Sequence, residues 1–75
     1  MARVEVLTEV TGNIWKIEAG VGDELNEEDV IMILESMKME IPVEAPCKGR
    51  LAEILVAEED AVEEDQVVAV IESND

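Results

Sequence analysis

The sequence predicts an all-β domain built from two related halves. Three observations carry that expectation. The chain matches itself without a gap when shifted by 37 residues, as in Gly12/Gly49, Asp23/Asp60 and Ser36/Ser73. Its apolar residues fall in short runs that are β-branched or alternate with polar ones, which is strand patterning. Gly20 to Asp23 and Pro46 to Gly49 punctuate those runs as turns.

Taken in order, the strand candidates are Val4 to Val6, Ile14 to Ala19, Val30 to Glu35, Ile41 to Ala45, Leu51 to Val56 and Val67 to Glu72. Val4/Val6 and Ile41/Val43 alternate with period two and occupy equivalent places in the repeat. Val30 to Leu34 and Val67 to Ile71 are continuous apolar runs, expected in strands buried on both sides or at a corner between sheets. Short extended pieces near Leu25 and Val62 complete four strands per repeat. Taken alone, the Glu- and Ala-rich stretch Ala57 to Asp65 reads as helix. Its repeat mate, Gly20 to Glu28, carries two glycines, so the repeat favours turn and strand for both. Trp15 follows Ile14 in an alternating strand, so one of the two faces outward. Trp15 reads as a partly exposed structural aromatic, with a docking contact as the alternative.

Two copies are too few for a solenoid. Two half-domains that each lack a complete core instead pack on each other about a pseudo-twofold axis. The repeats are about 1–37 and 38–75, within a single domain spanning 1–75. The central turn and the chain termini are then dyad mates at opposite ends.

The chain has 75 residues, enough for one modest core. The single cysteine, Cys47, permits no internal disulfide and suits a reducing compartment. No histidine is present, which removes the commonest general base and metal ligand. No catalytic or metal-ligating set is therefore expected. The N-terminus meets an acid at Glu5 and has no apolar h-region, and no run is long enough to span a bilayer, so the expected location is cytoplasmic. Twenty acids against five cations give a net charge of −15, which disfavours nucleic acid and anionic membranes. That charge fits a solvated surface that keeps the free domain monomeric, attraction to basic docking surfaces, or adaptation to high salt. Composition does not separate these.

At the centre stands Glu35-Ser36-Met37-Lys38-Met39-Glu40, between two strand candidates. Tight turns there normally use Gly, Asn or Asp for positive φ, and Met-Lys-Met has none. A broken local rule at such a place points to function.

These six residues resemble the biotin attachment motif of biotin carboxyl carrier domains, whose core is Met-Lys-Met. The Gly-Asp before Glu24-Leu25, the Pro46-to-Gly49 turn and the twofold repeat resemble the rest of the biotinyl/lipoyl domain family. The resemblance covers nearly the whole chain and is to short, stand-alone members called biotin/lipoyl attachment proteins. It implies a flattened β-barrel or sandwich of two four-stranded antiparallel sheets, with the modified lysine on an exposed hairpin. The family often has Ala where Ser36 stands, and Gly where Glu28, Glu59 and Asp65 stand.

By the same resemblance, biotin is amide-linked to Lys38 by a biotin protein ligase. An exposed lysine is almost wholly protonated at neutral pH, so the ligase must deprotonate Lys38 before it attacks biotinyl-adenylate. Met37, Met39, Glu35 and Glu40 are the candidate recognition residues. The methionines are taken to lie on one side of the hairpin, with Lys38 on the other. The carrier has no catalytic group of its own. It serves a biotin carboxylase and a carboxyltransferase, with acetyl-CoA or another acyl-CoA as acceptor. Lys16 and Lys48 lack methionine neighbours and are expected to stay unmodified. Two alternatives remain: a lipoyl carrier of a 2-oxoacid dehydrogenase complex, with lipoate on Lys38, and an unmodified adaptor module.

Overall fold

The computed structural model describes residues 2–37 and 39–73. Eight strands follow one another: β1 (Ala2–Leu7), β2 (Gly12–Ile17), β3 (Glu24–Leu25), β4 (Val30–Ser36), β5 (Met39–Glu44), β6 (Gly49–Ile54), β7 (Ala61–Val62) and β8 (Val67–Ser73). They form two antiparallel sheets, ordered β1-β8-β6-β3 and β5-β4-β2-β7. Among the described residues there is no helix. Exchanging each strand for the one four places away turns the first order into the second, as a pseudo-twofold axis requires. Each sheet takes its inner strands from one half of the chain and its edges from the other.

The core lies between the sheets and is filled by repeat mates. Val6 and Val43, Ile14 and Leu51, Leu25 and Val62, Ile31 and Val68, and Leu34 and Ile71 are all buried. In the continuous apolar runs, β-bulges bury adjacent residues together, while Val30 is exposed and Ile33 and Val67 are half-buried. The register shifts across Ile31 where β4 pairs with β5, and across Val68 where β8 pairs with β1. A bulge lets two successive residues face one partner, so Ile31 and Met32 are both buried, as are Val68 and Ala69. A second mated pair of bulges falls at Trp15 in β2 and Ala52 in β6. Trp15 there turns outward beside buried Ile14.

The turns repeat in their hydrogen bonds as well. The Gly20 N–H donates to the Asp23 carboxylate at 2.9 Å, and the Ala57 N–H to its mate Asp60 at 2.9 Å. The Asn26 N–H donates to Asp29, and the Glu63 N–H to the side-chain oxygen of Gln66, the mate of Asp29. The stretch Ala57 to Asp65 is thus two turns around the short β7, not helix. The mates Gly22 and Glu59 have φ of 98° and 76°, and the mates Glu28 and Asp65 have 75° and 66°. Only Gly22 meets this left-handed requirement with a glycine.

A side chain at such a φ costs on the order of 1 kcal/mol. Glu59→Gly is therefore expected to stabilise the protein by about 0.5–1 kcal/mol, raising Tm by roughly 2–8 °C. Thermal unfolding by circular dichroism reads this directly, and an unchanged or lowered Tm would show that Glu59 is not strained.

Candidate functional site

The candidate site is the hairpin that joins β4 to β5. Its last ladder pair is Ser36 with Met39, which leaves Met37 and Lys38 as the connecting residues. Lys38 itself lies outside the described residues. Two-residue hairpin loops need positive φ at their first position, and Met37 has φ of 48°. Met37 is 93% exposed and Met39 63% exposed, so neither serves as core filler. The expectation that both methionines share one side rested on extended backbone. The left-handed Met37 breaks that alternation, so period two does not carry from Met37 to Met39.

The base of the hairpin is fastened to the start of β2. The Ser36 hydroxyl donates to the Thr11 carbonyl at 2.8 Å. Gly12 lies so close to β4 that a Cβ on it would sit 2.5 Å from the Glu35 carbonyl oxygen. Its mate Gly49 stands in the same relation to Glu72. The sequence marked Gly12/Gly49 as an identical pair; the reason is this approach of backbone to backbone. Neighbouring Thr8, not singled out in the sequence, is buried, and its hydroxyl donates to the Glu63 carbonyl at 2.7 Å. Ser36 and Met39 lie at one end of a body 36 Å long, and the pair Ala2 and Ser73 lies at the other, beside Arg50.

Glu35 and Glu40 are exposed and directly opposite each other on the last rung before Ser36 and Met39, with Asn13 on the far side of Glu35. Like charges in that relation are destabilising. Their mates make the contrast plain. In the other sheet the same row reads Arg3, Glu72, Arg50. Arg50 donates to Glu72 at 2.8 Å. That hydrogen bond first, and then the charges of Arg50, Arg3 and the N-terminal amine, hold the Glu72 carboxyl below the usual glutamate range. Arg3 also pairs with Glu53. Among the described residues no cation pairs with Glu35 or Glu40.

Of the other lysines, exposed Lys16 lies 3.5 Å from Glu18, and Lys48 is exposed on the turn after Pro46. Cys47 is partly buried against the core. A groove of about 420 Å³ runs along the seam between β1 and β5, lined by Glu5, Glu27, Glu28 and Glu44 over an apolar floor that includes Leu34 and Ile41. It is separate from the residues flanking Lys38.

The family model described as "Biotin-requiring enzyme" matches residues 4–71. The chain belongs to this biotin/lipoyl family. Relatives in the family include the biotin/lipoyl attachment protein of Bacillus subtilis, 40% identical over 84% of this chain and 86% of that protein. The biotinylated protein TB7.3 homolog of Mycobacterium leprae is 34% identical over 89% of this chain and 94% of that protein. Among solved structures, the Kluyveromyces lactis urea carboxylase matches with a TM-score of 0.90 and 38% identity, over 95% of this chain and 6% of that one. The family assignment agrees with the all-strand, two-sheet architecture described above.

Two outcomes follow from this geometry. Gly12→Ala is expected to cost about 1–3 kcal/mol, because the added methyl overpacks the backbone beneath the hairpin; urea unfolding measures it, and an unchanged midpoint would mean β2 can withdraw freely. Glu72 has a lowered folded-state pKa, so its ion-pair contribution is present above the unfolded value and lost as pH falls through the folded one. The stability difference between wild type and Glu72→Gln should therefore shrink on acidification, in unfolding curves taken stepwise downward from pH 7; a difference independent of pH would contradict the assignment.

Proposed function

We propose that this chain is a biotin carrier, with biotin in amide linkage to Lys38, serving a biotin-dependent carboxylase. The observation that carries the reading is the loop itself: Met37 and Met39, both strongly exposed, flank Lys38 on a two-residue connection at one end of the body. The names of the relatives, which speak of biotin attachment and of a biotinylated protein, support it.

The donor set fits the group. Biotin joins a protein through an amide, which requires a primary amine on a long stem at an accessible place. The flanking residues meet that need: Ser36 and Gly12 fix the base of the hairpin, and the exposed methionines leave room for an enzyme to approach. In the attachment step the Nζ of Lys38 loses a proton and forms a C–N bond to the activated carboxyl of biotin, and the adenylate leaves as AMP. The product is neutral, so the local charge becomes one unit more negative. When bound, biotin supplies the chemistry of carboxyl transfer. The chain's own residues present it, and no catalytic group is assigned to them.

The partners in this reading are a biotin protein ligase, a biotin carboxylase and a carboxyltransferase. Met37, Met39, Glu35 and Glu40 are the recognition residues for the ligase. The acceptor, an acyl-CoA such as acetyl-CoA or a different small molecule such as urea, is chosen by the carboxyltransferase.

Intact mass of the protein from its native host, with fragmentation around Lys38, tests the reading. The expected result is a biotin-sized increment on Lys38, absent from Lys16 and Lys48, and abolished in a folded Lys38→Arg variant. A lipoyl-sized increment would make the chain a lipoyl carrier. A biotin signal that survives Lys38→Arg would move the site.

A further inference from the structure

The outer face of the β5-β4-β2-β7 sheet differs from that of its mate in a way the fold does not require. Next to the rung of Glu40, Glu35 and Asn13 lies a second row, in which Pro42 pairs with Ile33 and Ile33 with Lys16, with Trp15 bulged out beside Lys16. Trp15 is 49% exposed, Pro42 is exposed and Ile33 is half-buried. This face therefore presents Trp15, Ile33 and Pro42 directly adjoining an acidic row, with the one cation among them, Lys16, paired to Glu18. The mate positions on the other sheet are Glu5, Val70, Ala52 and Glu53, next to Arg3, Glu72 and Arg50. There the large aromatic is an alanine, and the acidic rung is neutralised within the chain by two arginines.

We propose that this face docks the enzyme that acylates Lys38, and that the enzyme supplies a guanidinium to the Glu35–Glu40 rung while an apolar surface covers Trp15, Ile33 and Pro42. The inference rests on the reading of Lys38 as the acylated residue and extends its recognition beyond the hairpin. Charge complementarity defines the occupant. The rung that holds arginines in one sheet lacks them in the other, and two opposed carboxylates match the forked donors of Arg better than the point charge of Lys. Position selects the loading enzyme over those that act later. The reacting atom in loading belongs to Lys38, three residues from Glu35 and two from Glu40 along the chain, whereas after loading the reacting ring is carried on a longer arm.

The test uses the native host's biotin protein ligase with ATP and biotin, following incorporation into Lys38 of the full chain. Trp15→Ala should raise KM for the carrier by about tenfold or more with kcat little changed, as removal of an interface aromatic does. The Glu35→Gln, Glu40→Gln double variant should raise KM as well and flatten its salt dependence. Leu55→Ala, an exposed apolar residue of the other half, should load like wild type. Thermal unfolding of each variant verifies that it is folded. Wild-type KM in both face variants would overturn the inference while leaving the carrier reading intact. Normal loading combined with impaired carboxylation by the biotin carboxylase would also overturn it, by giving the face to another enzyme. Failure of the wild-type chain to take biotin at all would remove both.

Discussion

Neither half of this chain can bury its own apolar side. Because each sheet takes its inner strands from one half and its edges from the other, β4 and β2 are flanked only by β5 and β7, and β8 and β6 only by β1 and β3. Every rung thus joins residues within a half or across the two halves, and the core forms only when both are present. Pairing of this kind is non-local, and its loop-closure cost precedes the reward of burial. The mated core residues, from Val6 with Val43 to Leu34 with Ile71, are the products of that single constraint.

On so symmetric a scaffold, function appears as broken symmetry. The backbone repeats its bulges, its turns and its close glycine approaches in both halves. The side chains do not repeat at the two ends. One end is neutralised by Arg3 and Arg50 around Glu72, and the other leaves Glu35 and Glu40 opposed beside two exposed methionines. Keeping a like-charge pair and a left-handed methionine costs stability at one place. The corresponding place in the other half avoids the charge cost.

Much of the fold was legible in the sequence because the repeat supplied a second reading of each segment. It overruled the helical look of Ala57 to Asp65, and it located the short strands at Leu25 and Val62. The exchange of edge strands between halves was not legible, since a repeat gives equivalence and not pairing. The bulges were also hidden. In sequence Ile31 and Met32 fit a strand covered on both faces or one at a corner between sheets, and patterning does not show the register shift that aims both into one core. At the site, the absence of Gly from Met37-Lys38-Met39 signalled an unusual turn, and Met37 at φ 48° bears the strain. The contribution of Thr11 and Gly12 to the hairpin base was missed, because it depends on contacts to Ser36 and Glu35 that are distant in sequence.

The two longest edge strands, β1 and β5, face the same seam, and this bears on how concentrated the protein can become. An unpaired strand edge is a template for another copy. Pro42 withholds one donor from β5, and Glu5, Glu27, Glu28 and Glu44 line the seam between the edges. At neutral pH a second molecule approaching edge-on would bring its own acids against these. Salt screens that repulsion, so the guard on the two edges weakens as ionic strength rises. The acidity of the seam is then a colloidal safeguard, tied to the geometry of two open edges that the interlocked halves leave side by side.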